Sequence, residues 1–192
     1  EDILDLCIKI NERAFENGRG RFKLGKEDYI PHITLGMGCI SRRHLDEVVT
    51  DLFYVINSQR SVSLEARGIE LYARDDGNRS FLEISTTDEL RTLHEQSANL
   101  LSHYHVPLDS ASCLFEGEQT GMTDSTSKTL NNFNQLYGGG KYNPHITLGC
   151  YDADKFSEGI KFPVSFTASK FALVHLGNNC TVRRMLFEVE FG

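Results

Sequence analysis

The sequence predicts an α+β fold of two similar lobes about a shared cleft, and three observations lead there. The chain repeats itself: Tyr29-Ile30-Pro31-His32-Ile33-Thr34-Leu35-Gly36 returns as Tyr142-Asn143-Pro144-His145-Ile146-Thr147-Leu148-Gly149, identical at seven of eight positions. With residue frequencies of about 1 in 20, the shared hexamer would recur by chance on the order of once per thousand such chains or less. Helical periodicity alternates with period-two runs in both halves. The order within each half is also the same: a helix, a His-containing strand, a linking segment, then hairpin strands. The halves meet near residues 85 and 86, giving one domain over residues 1–192 with lobe-forming repeats of about 1–85 and 86–192. An approximate twofold between them would set equivalent strands, and so equivalent histidines, across one cleft.

Each element has its own warrant. Ile3, Cys7, Ile10 and Ala14 form one stripe, with Leu4, Ile8 and Phe15 beside it, which predicts a helix to Phe15 that Gly18-Arg19-Gly20-Arg21 ends. An extended stretch runs from Tyr29 to Gly36. Ser41 can cap a second helix in which Leu45, Val48, Val49, Leu52, Phe53 and Ile56 repeat at threes and fours. Strand-like runs follow at Val62 to Ala66, Ile69 to Ala73 and Phe81 to Ile84, with a turn at Asp76-Gly77-Asn78. Thr86 and Glu89 read as a capping box before a helix striped by Leu90, Leu93, Ser97, Leu100, Leu101 and Tyr104. Residues 105–141 are rich in Ser, Thr, Asn and Gly and read as a long loop or lid with a short helix near Leu130 to Tyr137. Strands are expected at Tyr142 to Cys150, Pro163 to Phe166, Phe171 to His175 and Met185 to Phe191.

Composition narrows the function. The chain has 192 residues, 20 Lys+Arg against 27 Asp+Glu and a net charge of −7. At this length roughly 70% of the unfolded surface is buried on folding, so no metal or disulfide staple is needed. The acidic balance argues against a broad nucleic-acid-binding face, while leaving a local contact to a nucleotide or strand end open. No apolar run approaches the roughly 18 residues of a membrane span and no signal-peptide pattern opens the chain, so a cytoplasmic protein without a membrane partner is expected. Cys7, Cys39, Cys113, Cys150 and Cys180 are odd in number and widely spaced, which fits reduced thiols serving as small apolar fillers.

The repeated motif carries the chemistry. Residues two apart on a strand share a face, so His32 pairs with Thr34 and His145 with Thr147, while Ile33, Leu35, Ile146 and Leu148 turn the other way. Two such strands at one cleft bring two imidazoles and two hydroxyls together. A neutral imidazole can take a proton from water while an imidazolium gives one to a departing oxygen, and the hydroxyls can bond the phosphoryl oxygens where charge accumulates. A structural repeat would not need His, since Val or Ile hold a strand better. The near-symmetry leaves open which histidine is base and which acid.

These paired His-x-Thr motifs, 113 residues apart, resemble the two-histidine phosphoesterase superfamily of 2′-5′ RNA ligase-like proteins, 2′,3′-cyclic nucleotide phosphodiesterases and 2′-5′ oligoadenylate phosphodiesterases. The resemblance covers nearly the whole chain. It implies a bilobal α+β fold with antiparallel sheets around a groove and helices outside. It also implies metal-independent hydrolysis of a 2′,3′-cyclic phosphate on a nucleotide or RNA end, with no cofactor. His32 and His145 would be the acid/base pair, and Thr34 and Thr147 would hold the phosphoryl group. Cleavage or ligation of 2′-5′-linked or cyclic oligonucleotides fits the same residues, and a non-catalytic nucleotide-binding module is the third reading. The family's usual strand ahead of the first helix is not visible in this sequence, so a departure is expected at the edge of the first sheet. A monomer is expected.

Secondary candidates surround the motifs. Tyr29 and Tyr142 precede the histidines by three residues and are candidates for stacking on a base, with packing at the strand start as the competing reading. Lys141, after three glycines, could bring a cation to a phosphate, and Gly18-Arg19-Gly20-Arg21 occupies the equivalent connection in the first half. Substrate choice is expected in these two unequal loops. His44, His94, His103, His105 and His175 read as structural or surface histidines, and Glu83 and Glu188 as matched outward strand positions.

Overall fold

The computed structural model describes residues 2–57, 59–73, 78–106, 113–118 and 121–191. Within them, helices α1 (Ile3–Glu16), α2 (Leu45–Ile56), α3 (Asp88–Tyr104) and α4 (Asp124–Tyr137) are interspersed with strands β1 (Val62–Tyr72), β2 (Arg79–Ile84), β3 (His145–Tyr151), β4 (Val164–Ala168), β5 (Lys170–Leu176) and β6 (Val182–Glu190). The chain divides into two compact units, each threaded from three stretches. One takes Glu1–Ile33, Ser63–Thr86 and Pro144–Thr167; the other takes Thr34–Val62, Thr87–Asn143 and Ala168–Gly192.

The first unit is built on a four-stranded sheet in the order β3-β2-β1-β4, with β1–β2 and β2–β3 antiparallel. Period-two burial sets its two faces. Ser80, Leu82 and Ile84 of β2 and Ile146 and Leu148 of β3 are buried, while Arg79, Phe81, Glu83, His145 and Thr147 face outward. On the buried side α1 packs against β3 through Ile3, Leu6, Cys7, Ile10 and Ala14. Asn11 lies within this apolar stripe, wholly buried, and every bond it makes is to backbone. Its amide donates to the carbonyls of Leu148 (2.9 Å) and Phe22 (3.1 Å), and its oxygen accepts from Leu24 N (2.9 Å). The helix is thereby pinned to β3 and to the segment after it, and a buried amide is fully used.

The second unit has a β5–β6 hairpin packed with α2 and α3 about Val48, Leu52, Ile56, Leu101 and Phe171. Gly36 runs so close to α3 that a Cβ would lie 3.1 Å from the Ala98 backbone. Cys39 and Cys113 form a disulfide across 74 residues. Thr123 caps α4, accepting from Thr126 N at 3.2 Å, and Asn178 ties the helix start to the β5–β6 turn.

Several expectations are corrected. The two runs of residues 62–73 are one continuous strand, β1, with a bulge between Ala66 and Gly68 that restores register. The cap of α3 is Thr87, one residue later than expected, with its hydroxyl on Leu90 N at 3.2 Å. Ser41 makes no capping bond, because a short 3₁₀ turn, Arg42–His44, precedes α2. The expected loop contains a 14-residue helix, since Leu130 and Phe133 bury against the unit. Cys39 and Cys113 are bonded rather than reduced, whereas Cys7 and Cys150 are buried thiols that burial pushes up to about 12. Asp76 and Gly77 of the expected turn lie outside the described residues, as do residues 107–112, 119 and 120 of the loop. No helix is long and apolar enough to cross a membrane among the described residues.

Candidate active site

The site begins with β3. Pleating turns His145 and Thr147 outward, and register sets Glu83 opposite His145 and Phe81 opposite Thr147. The Phe81 ring meets the His145 imidazole edge to face at 4.8 Å, and Tyr72 of β1 meets Phe81 the same way at 5.3 Å. An aromatic wall thus limits where the His145 ring can turn.

The first motif reaches the same sheet from the other side. Its residues form no extended strand, but Ile33 makes an antiparallel bridge with Ile146. The central residues of the two His-x-Thr motifs therefore pair with each other, and antiparallel register sets His32 opposite Thr147. The imidazoles are close enough that His145 acts electrostatically on His32.

His32 has a defined tautomer. Its Nδ1 lies 2.8 Å from the Ile30 carbonyl, which can only accept, so the proton sits on Nδ1 and the neutral ring carries its lone pair on Nε2. Burial lowers the pKa of His32 below the ordinary histidine value; the bond to Ile30 opposes this and the positive field of His145 adds to it. In its neutral form His32 thus offers one basic nitrogen, Nε2.

The remaining candidates fall as follows. Thr34 begins the second unit, where its carbonyl accepts from the Tyr142 hydroxyl at 3.1 Å. Tyr142 lies flat on His94, with ring centroids 3.8 Å apart and planes 3° apart, and burial raises its phenol far above the usual tyrosine range. One of its faces is therefore covered by protein. Tyr29 has a left-handed backbone (φ 52°) and stacks on Phe22 at 5.4 Å. The Lys141 ammonium donates to the Gln135 carbonyl at 3.0 Å. The structure thus brings His32, His145 and Thr147 together in the first unit, while Tyr142 and Lys141 belong to the second.

Of the histidines outside the motifs, His103 is exposed near the end of α3, and the other four contact backbone or a nearby side chain. His94 is buried between the Leu35 carbonyl (2.7 Å) and the Tyr137 carbonyl (3.0 Å). His105 accepts from Cys39 N, His175 contacts the Cys113 carbonyl, and His44 contacts Glu47.

Sequence reasoning did not single out Phe81, whose signal was its outward position in a period-two strand, or Tyr151, the last residue of β3. It also treated Glu83 as merely symmetric, though Glu83 faces His145 directly. Beyond Glu83, the same side of the sheet opens into a shallow groove lined by the hydroxyls of Ser63, Ser85, Ser165 and Thr167 and by Glu65.

With paired His-x-Thr segments bridged at their central residues, comparison with known families decides the relationship: residues 16–179 match the model of the 2′-5′ RNA ligase superfamily. The chain belongs to that superfamily. A search of curated proteins finds no match to it. As a member of the 2′-5′ RNA ligase superfamily, the chain carries both His-x-Thr motifs intact, at His32-Ile33-Thr34 and His145-Ile146-Thr147.

Proposed function

We propose that this superfamily member is a phosphodiesterase that opens a 2′,3′-cyclic phosphate on a nucleotide or RNA end by two-histidine acid/base chemistry, without a metal. The observation that supports the reading is the Ile33–Ile146 bridge, which pairs the central residues of the two motifs; antiparallel pairing then sets His32 opposite Thr147, two residues along β3 from His145. The tautomer of His32 supports the division of labour: Nε2 accepts the proton of the attacking water, and His145 delivers a proton to the leaving 2′ or 3′ oxygen. Thr147, on the face of β3 that carries His145, hydrogen-bonds a non-bridging oxygen as the phosphorane-like charge develops. Water adds to phosphorus as hydroxide and leaves its other proton on His32 Nε2; the P–O bond to the leaving 2′ or 3′ oxygen breaks, and that oxygen takes the proton of His145.

His32→Ala and His145→Ala are each expected to lower kcat on a nucleoside 2′,3′-cyclic phosphate by at least ~100-fold, in the range of general acid/base contributions. EDTA should leave the rate unchanged. Full turnover by the double variant would refute the assignment. Assay against 2′-5′-linked oligomers in parallel separates this activity from cleavage at a 2′-5′ linkage.

A further inference from the structure

The catalytic face of the first unit continues toward the end of β3, and the chemistry changes there. Between Thr147 and Tyr151, β3 advances four residues while β2 advances two, from Phe81 to Arg79. Gly149, in the left-handed region at φ 62°, absorbs the excess. Tyr151 therefore emerges opposite Arg79, on the side of the sheet that carries His145, Thr147 and Phe81. The chain between α1 and Tyr29 is stitched to the outer edge of β3 at the same place. Tyr151 N donates to the Arg19 carbonyl, Arg21 N donates to the Gly149 carbonyl, each at 2.9 Å, and Gly20 bridges Cys150.

The result is three guanidiniums around one phenol ring. Arg19, Arg79 and Arg21 lie 5.3, 5.5 and 5.8 Å from the Tyr151 centroid, and Arg21 also lies 5.5 Å from the ring of Phe22. Gathering three cations within about 6 Å of one ring is costly in mutual repulsion. The ring faces repay part of that cost. The carboxylate of Asp152 pairs with Arg19, accepts from Asn78 at 2.9 Å and lies 3.8 Å from Lys155. This cluster of guanidiniums stands in a chain of net charge −7, on the side of the sheet that carries His145 and Thr147.

We propose that Arg19, Arg21 and Arg79 bind a second phosphate of the substrate, on the 5′ side of the nucleotide whose cyclic phosphate lies at the histidines. This rests on the phosphodiesterase reading above. The spacing suits it: along β2, Arg79 is two residues from Phe81, the partner of Thr147, and four from Glu83, the partner of His145, about 7 and 13 Å at strand rise, a range that a nucleoside carrying a phosphate at each end spans. Guanidiniums also suit it, since their planar forks match phosphate oxygens and tyrosine stacking fixes their orientation. The substrate class is then a nucleotide bearing both a 2′,3′-cyclic phosphate and a 5′ phosphate, as monoester or as diester to a preceding nucleotide.

The test compares three substrates: a nucleoside 2′,3′-cyclic phosphate with a 5′ hydroxyl, its 5′-phosphorylated form, and a dinucleotide ending in the cyclic phosphate. The wild-type chain should favour one or both phosphate-bearing substrates at least ~10-fold in kcat/KM, through KM, and that preference should shrink as salt rises. In Arg21→Gln and Arg79→Gln the ratio of phosphate-bearing to 5′-hydroxyl substrate should fall toward one. Preference for the monoester over the dinucleotide, or the reverse, identifies which 5′ group is read. A wild-type ratio near one, or a ratio unmoved by both substitutions, overturns the proposal. If the wild type turns over none of the three, the phosphodiesterase reading fails, and binding of a fluorescent 5′-phosphorylated dinucleotide decides the subsite. Binding weakened in both variants supports it; binding equal to wild type overturns it.

Discussion

At residue scale, His32 is governed by its own backbone: the carbonyl two residues back accepts a hydrogen bond from Nδ1–H, and burial lowers the pKa of the ring. The acidic limb of kcat/KM against pH should therefore fall below the ordinary histidine value of ~6.5, because the free-enzyme base sets that limb. Stability follows the same sign. A histidine whose folded pKa is depressed takes up its proton at lower pH than it does in the unfolded chain. The unfolded state thus binds more protons below ~6.5, and stability falls as pH drops from there through the folded pKa. Thermal melts from pH 8 to pH 5 should show a steeper acid-side loss in wild type than in His32→Gln. An acidic limb at or above ~6.5 would contradict the assigned state of His32. The shared side of His145 and Thr147 was legible in the sequence because strand parity fixes it whatever the details. The tautomer of His32 was not, because it depends on how Ile30 and Pro31 turn the chain back toward the ring.

At the scale of the element, β3 is set by what presses on it. Gly149 lies at φ 62°, and a Cβ there would stand 2.7 Å from the Phe22 carbonyl and 3.0 Å from the Asn11 amide. Gly149→Ala is expected to lower unfolding free energy by more than ~1–2 kcal/mol, the left-handed cost alone, with steric overlap added. Denaturant titration measures it, and a loss under ~0.5 kcal/mol would mean that the kink relaxes elsewhere. The repeat flagged both glycines without distinguishing them. Gly36 needs room for Ala98 of α3, whereas Gly149 needs a backbone conformation as well. Asn11 was invisible for a related reason: a single amide in an apolar helical stripe reads as an interruption until the strand carbonyls it serves are known. Thr86 lost the cap to Thr87 because capping depends on where the chain leaves extended geometry, which adjacent threonines do not reveal.

At the scale of the molecule, the halves of the repeat and the compact units divide the chain differently. The first unit's sheet takes β1 and β2 from the first repeat and β3 and β4 from the second. A fragment ending at residue 85 would hold α1, β1 and β2 but lack the strand that receives the bonds of Asn11. It is expected to show no cooperative transition when urea unfolding is followed by circular dichroism; a sigmoidal, concentration-independent transition would contradict this. The α+β class and the order of elements were readable from local periodicity. The threading was not, because pairing between strands some 60 residues apart leaves no local trace. That threading also fixes an order of assembly on the ribosome. After Ile84 emerges, β2 has β1 on one side only, and its other edge waits for His145 and the residues that follow. At ~5–20 residues per second those roughly 60 residues take on the order of 3–12 s. Throughout that time the nascent chain presents an open strand edge bearing Phe81, a template for pairing with other chains. The strand that ends this exposure is the one that carries His145, so the chain leaves its most aggregation-prone stage in the same step that brings in the second histidine.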